Sequence, residues 1–360
     1  HDCGDADILL PGLHKADLAH AVMLIEEGII PVEAGSKLIQ GLVNLEKIPA
    51  GEFPVHPEYG DVYNSKDVAL KQAIGDDAGW LHIGRPRREA VNIAYLIATR
   101  RRLLELTGRF SALIRSLIQL ARDERTTIMP DFTYLHHAHP TSTGHYLLTF
   151  VYPMLRDAQR LKSVFSRLNQ SPAGSGSVNG SELPLNRERL RQFLGFEGLI
   201  PHTRDAMWQT DVPLEAMSAL VMTLMNINRI ADELQIWNTA EFDMVDLPDD
   251  LCRASVIMPQ KKNPYPLAYI RGVTASLLGR LDSFACYGRI ATGNPDSRIF
   301  IYGELPRSLD SGCGVLDLMR VTFDGMKFNH DVMLERVQND YSYSTDLADY
   351  IAMDHSVDYR

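Results

Sequence analysis

A chain of 360 residues with 45% hydrophobic residues is long enough to bury a large core, as one unit or as two to three smaller ones. Its formal net charge of -10 excludes a general binder of nucleic acid or of anionic membranes, because a net negative field attracts neither polyanion. Local basic spots remain able to hold a small dicarboxylate or polycarboxylate.

In chain order, Leu13 to about Glu46 reads as a pair of short amphipathic helices broken at Gly28 and Pro31. A Gly/Pro-rich connection follows (Pro49, Gly51, Pro54, Pro57), so that 1–64 is expected to form a small leading helical domain. Ser65 to Ile74 predicts another short helix, and Gly75 to Arg87 a turn-rich segment. From Glu89, the recurrence of Ile93, Leu96, Leu103, Phe110, Leu113, Leu117 and Leu120 predicts one helix of about 35 residues, roughly 50 Å long. A second long helix is expected from about Thr143 to Leu168, distorted at Pro153, and a third from Asp211, a candidate cap, to Trp237. A fourth runs from Pro264 through Phe284 and a fifth from Leu305 to about Phe328. The stretch 65–325 is then the central long-helix region, and 326–360 the start of a further helical region.

Helices this long are uncommon in ordinary globular domains. Leu103 with Leu104, and Leu113 with Ile114, place apolar residues on more than one stripe, for which helices of other subunits are the natural cover. No strand alternation supports a central sheet.

The four cysteines, Cys3, Cys252, Cys286 and Cys313, have no metal-ligand or thioredoxin-like spacing, which fits a reducing compartment. No signal peptide and no uninterrupted apolar run long enough to span a bilayer are read, so a cytoplasmic protein that needs no cofactor is expected. A start at His1 without methionine, and a stop at Arg360 just after a helical pattern, read as trimmed ends.

Four segments carry candidate chemistry. Ser255-Val-Ile-Met-Pro-Gln-Lys-Lys-Asn263-Pro264 places a hydroxyl, two lysines and a carboxamide between restricted prolines, directly before a helix whose N-terminus favours anions. By spacing alone it is equally a solvated basic loop. Thr133-Tyr-Leu-His-His-Ala-His-Pro140 invites a metal guess through His136, His137 and His139, but the spacing is not that of a compact ligand pair, and no metal is assigned. Gly84-Arg-Pro-Arg87-Arg88 gathers three arginines at a turn; by itself it reads as a solvated basic turn, above all at Arg85. Gly174-Ser-Gly-Ser-Val-Asn-Gly180 lacks the lysine and the preceding strand of a phosphate loop.

The Ser255 segment resembles the signature loop of the fumarase/aspartase superfamily, and its Met258 to Asn263 core resembles that of the argininosuccinate lyase/delta-crystallin branch. The resemblance extends to Leu13–His20, Gly84–Arg87, Thr133–Pro140 and Gly174–Gly176. It implies an all-α, elongated long-helix bundle, with helices from four subunits forming the core of a homotetramer and each active site assembled from three subunits. It implies a fumarate-releasing lyase in which Ser255 is the general base, while Thr133, Lys261, Asn263 and Arg87 hold a succinate-like substrate through an aci-carboxylate intermediate. Ser175 would lie in a turn beside the site, and His139 would line it.

Departures from the family pattern concern the leaving group. Tyr134 stands where the family has an active-site histidine, Ala268 where argininosuccinate lyases have the glutamate that pairs with it, Tyr63 for a substrate-region histidine, and Pro86 and Arg88 for a serine and an asparagine. Tyr134 becomes a candidate proton donor. Near the distal part of the substrate Tyr302 matches, whereas Arg298 and Glu304 are either a new leaving-group pocket or an exposed salt bridge. The expected reaction is β-elimination from an N-substituted aspartate or related substituted succinate. A noncatalytic paralogue of the same fold and a true argininosuccinate lyase are the alternatives.

Overall fold

The computed structural model describes residues 4–294 and 296–359, apart from the side chains of Asp296 and Ser297; Cys3 lies outside the described residues. The helices in chain order are α1 (Ala6–Glu26), α2 (Val32–Glu46), α3 (Val62–Ile74), α4 (Arg87–Asp123), α5 (Thr143–Leu168), α6 (Arg187–Phe193), α7 (Thr203–Trp208), α8 (Asp211–Trp237), α9 (Tyr265–Tyr287), α10 (Asp296–Gly325), α11 (His330–Gln338) and α12 (Ser344–His355). An antiparallel hairpin, β1 (Ile128–Thr133) with β2 (His136–Ser142), is joined among the described residues only by ladders two residues long, so the fold is all-α. The expected turn-rich stretch before α4 is largely a 3-10 helix, Gly75–His82.

Two compact units divide the chain. One comprises 1–105, 160–220 and 279–310, the other 106–159, 221–278 and 311–360, so each of α4, α5, α8, α9 and α10 has residues in both.

In the first unit α1 starts at Ala6 rather than Leu13 and runs through Pro11. Proline removes one helical hydrogen bond, but burial of Ile8, Leu9, Leu10 and Leu13 holds the turn together. A Cβ on Gly12 would stand 2.6 Å from the Ala94 Cα and carbonyl oxygen, so α1 and α4 meet backbone against backbone. α1 is interrupted by Asp7, Lys15 and Asp17 but reaches the length of a bilayer span with a mean hydropathy of 1.3; 72% of that window is buried inside the protein, as in a core helix. Asp61 caps α3 by accepting the Asn64 N–H at 2.8 Å.

The second unit buries Leu113, Leu117, Met154, Leu224, Ile227, Leu267, Ile270 and Met319, and α11 packs on β1. Asp211, expected as a cap, is the first residue of α8, and α10 begins at Asp296 rather than Leu305. Of the doubled stripes, Ile114 is covered within the chain, whereas Leu104 of the first unit remains 56% exposed.

Candidate active site

The Ser255 loop belongs to the second unit and is closed at its base by a two-residue ladder that pairs Arg253 with Asn263 and Ala254 with Lys262. The Asn263 amide donates to the Arg253 carbonyl at 2.8 Å, and the Arg253 guanidinium lies 3.4 Å from the Tyr265 ring centroid. Within the loop, the Ser255 N–H donates to the Lys261 carbonyl and the Lys261 N–H to the Met258 carbonyl. The Met258 N–H in turn donates to Ser255 Oγ at 3.2 Å. The tip is open to solvent, with Val256 100% exposed.

The two lysines differ in their surroundings. Lys262 reaches Asp246 at 2.9 Å, Asp249 at 2.6 Å and the Leu247 carbonyl. Against the desolvation that would lower its pKa, these carboxylates raise it. Lys261 is exposed, with no ion pair among the described residues. Lys262 therefore anchors the loop, and Lys261 is the cation left for a ligand.

The hairpin places Thr133 opposite His136, joined by Tyr134 and Leu135 alone, at φ 56° and 60°. Two left-handed residues make the primed turn that suits strand twist, a position ordinarily filled by Asn-Gly. Two large side chains there carry strain on the order of 1–2 kcal/mol each. Tyr134 is 99% exposed at this corner. His137 contacts the Asp340 carboxylate and lies edge-on to Phe132, while His136, His137 and His139 border an open cleft of about 720 Å³. Among the described residues no three His, Cys, Asp or Glu side chains are grouped to hold a metal ion.

In the first unit the Gly84–Arg88 corner is built from beneath. Arg85, for which a solvated turn was an open reading, is buried: it donates to the Ala16 carbonyl at 2.9 Å and pairs with Asp17, which also holds Lys66. His20 Nε2 lies 2.8 Å from the Ile83 carbonyl, and burial lowers its pKa to about 3, so the ring is neutral and donates. Arg87 opens α4 and reaches the second oxygen of the α3 cap, Asp61, at 2.5 Å. Arg88 faces the Trp208 ring at 5.5 Å.

Arg87, Arg88, Arg298 and Tyr302 border one small cleft of about 110 Å³; Arg87, Tyr63 and Gly176 border another, open and of about 670 Å³. Arg298 is buried and donates to Asn92 at 3.0 Å and to the Gln209 carbonyl at 2.8 Å, so its guanidinium serves the scaffold. Glu304 pairs with Arg280 at 3.4 Å and Arg307 at 3.8 Å, a salt bridge rather than a pocket group. Ser175 is buried with its hydroxyl against Arg187, and Tyr302 packs on Tyr95 with ring centroids 5.0 Å apart.

Residues 14–279 match the Lyase family. The argininosuccinate lyase of Geobacillus thermodenitrificans is 34% identical over 347 residues, covering 94% of this chain and 74% of that protein. The chain belongs to the fumarase/aspartase superfamily of lyases. Its fold agrees with that of EDDS lyase in complex with formate at a TM-score of 0.90 and 28% identity, over 99% of this chain and 70% of that one. An EDDS lyase variant with bound fumarate also superposes at 0.90, with 27% identity and the same coverage.

One residue of this superfamily member, read from the sequence only as the start of a helix, supports the site from beneath. Glu89, in the first turn of α4, is wholly buried, and its two carboxylate oxygens accept the Gly174 and Gly176 N–H groups at 2.7 and 2.6 Å. It ties the glycine turn to the helix that starts with Arg87, and its only sequence signal was its place beside Arg87 and Arg88. Burial raises its pKa to about 7, against the opposing pull of the Gly174 N–H, Arg85, the Gly176 N–H and Arg187. A raised carboxyl pKa contributes stability in full below about 4.5, and that contribution is lost as pH rises through about 7. Glu89→Gln is thus expected to gain on the parent by on the order of 2 kcal/mol between pH 5 and pH 8. Chemical denaturation at the two pH values reads this, and a constant difference between the proteins would refute it.

Proposed function

We propose that this lyase catalyses β-elimination from an N-substituted aspartate or related substituted succinate and releases fumarate, with Ser255 as the carbon-acid base. The observation that carries the reading is the Met258 N–H aimed at Ser255 Oγ at 3.2 Å, in a loop whose Lys261 has no ion pair among the described residues. A serine hydroxyl is a poor base at its ordinary pKa. A backbone donor on its oxygen and a nearby ammonium both favour the alkoxide, the more so when a closed loop excludes water.

Ser255 takes the proton from the carbon beside a carboxylate, and the electron pair passes into that carboxylate as a dianionic aci-form. Lys261, Asn263, Thr133 and Arg87 stabilise the added charge and hold the carboxylates, with Arg88 and Tyr302 at the margin of the site. The dianion then collapses, the double bond of fumarate forms, and the leaving group departs with its electron pair. The relatedness to argininosuccinate lyases supports carbon–nitrogen cleavage.

The working assembly in this proposal is a homotetramer with active sites shared between subunits. Exposed apolar side chains along long helices of the second unit support it: Leu148, Tyr152 and Leu155 of α5, Met222 and Met225 of α8, and Tyr269 and Leu278 of α9. At least one of argininosuccinate, other N-substituted aspartates and nitrosuccinate is expected to yield fumarate, followed by its ultraviolet absorbance. A panel with no fumarate from any member would sink the proposal.

A further inference from the structure

Tyr134 and Tyr63, two phenols among the candidate site residues, differ in what stands behind them. Tyr134 is almost wholly solvated, with no hydrogen bond among the described residues. Tyr63, in the first turn of α3, is 5% exposed and borders the same cleft as Arg87 and Gly176. Its hydroxyl lies 3.4 Å from His82 Nδ1, and His82 Nε2 lies 2.8 Å from the carboxylate of Asp67, one helical turn beyond Tyr63 on α3. Asp67 and His82 also border this cleft. Resting on the lyase reading above, we propose that Tyr63 is the proton donor to the leaving nitrogen, recharged through His82 with Asp67 as the orienting carboxylate.

The hydrogen-bond directions follow from the partners. Asp67 accepts from Nε2–H; when His82 is an imidazolium, Nδ1–H donates to the Tyr63 oxygen and turns the phenolic O–H outward. As the carbon–nitrogen bond breaks, the nitrogen keeps the bonding electron pair and takes the Tyr63 proton. Tyr63 takes the Nδ1 proton, and neutral His82 is reprotonated from water, to which its side chain is 43% exposed. The carbon-bound proton has meanwhile gone to Ser255, so no proton or electron is unaccounted for.

The charges around the relay favour these states. Burial raises the Tyr63 pKa to about 12, so the phenol rests protonated, while Arg85 beside it stabilises a passing phenolate and Asp17 and Asp67 oppose it. Lys66 borders the cavity behind Tyr63 together with Asp17 and Asp67. The hydrogen bond to Asp67 raises the His82 pKa; desolvation and Arg85 oppose it, and Asp17 adds to it. Activity that needs the imidazolium is therefore full at low pH and lost as pH rises through the raised His82 value.

The test uses the assembled protein with an N-substituted aspartate and with nitrosuccinate, whose nitrite leaves without a proton. Tyr63→Phe keeps the ring and is expected to lower kcat for the amine substrate by about 100-fold or more, with KM little changed, and to leave nitrosuccinate turnover intact. Asp67→Asn is expected to move the alkaline limb of kcat for the amine substrate to lower pH, and Tyr134→Phe to change neither substrate. Equal slowing of both substrates by Tyr63→Phe, or a loss specific to the amine in Tyr134→Phe instead, overturns the relay alone. A parent enzyme that releases fumarate from neither substrate overturns the elimination reading and the relay with it.

Discussion

Replacing Ser255 by alanine is expected to lower kcat for fumarate release by about a thousandfold or more while leaving the fold intact. The two halves of this expectation rest on different features. The hydroxyl is the only proposed acceptor for the carbon-bound proton, and no rearrangement of Lys261 or Asn263 supplies another, since an ammonium and a carboxamide are not bases at neutral pH. In the structure, however, the hydroxyl accepts one hydrogen bond, from the Met258 N–H, on a loop whose neighbouring residues are exposed. Its loss should therefore change unfolding free energy by no more than about 0.5 kcal/mol. Steady-state kinetics and thermal unfolding of the same preparation measure the two effects separately. Undiminished turnover in the variant would assign the base elsewhere; a large drop in melting temperature would make any loss of activity a folding defect. Because Ser255 serves both amine and nitro substrates, its removal should silence both, unlike removal of the Tyr63 hydroxyl.

Asp17→Ala is expected to destabilise the protein by about 3–5 kcal/mol. Asp17, Lys66 and Arg85 are all buried, and the single carboxylate is shared by the two cations. Deleting it leaves two uncompensated charges away from water, which costs far more than the intact cluster contributes. Burial disfavours the Asp17 carboxylate, but Lys66 and Arg85 outweigh this and hold its pKa at about 2. With the folded pKa below the ordinary 3.8, the contribution is present above about pH 4 and is lost as pH falls through about 2. Denaturant unfolding near pH 7 measures the loss. A change below about 1 kcal/mol would mean that water enters the cluster and that the burial argument fails. A kinetic consequence should accompany the loss, because Arg85 ties α1 to the corner that precedes Arg87.

The legibility of the chain varied with the kind of signal. For α5 and α8 the expected limits, Thr143 to Leu168 and Asp211 to Trp237, coincide with those in the structure, since apolar spacing and end residues are local properties. α1 and α10 start earlier than the sequence indicated, and each contains a proline, Pro11 and Pro306, near the expected start. A proline is a boundary only when no burial on the two sides outweighs its lost hydrogen bond, and that balance is not written locally.

By itself the sequence determined the all-α class, the long helices, the superfamily and the loop that carries Ser255, because each is encoded in spacing and in one contiguous motif. Only the tertiary structure decided which cations are already spoken for. Lys262, Arg85 and Arg298 are held by Asp246 and Asp249, by Asp17, and by Asn92 with the Gln209 carbonyl; the half-exposed Arg87 is paired with Asp61, and Lys261 is left for a ligand. It likewise decided the partnership of Tyr63 and Asp67 on α3 with His82 from the following 3-10 helix. Charge and acid–base behaviour depend on burial and on partners distant in the chain, and these exist only once the helices have packed.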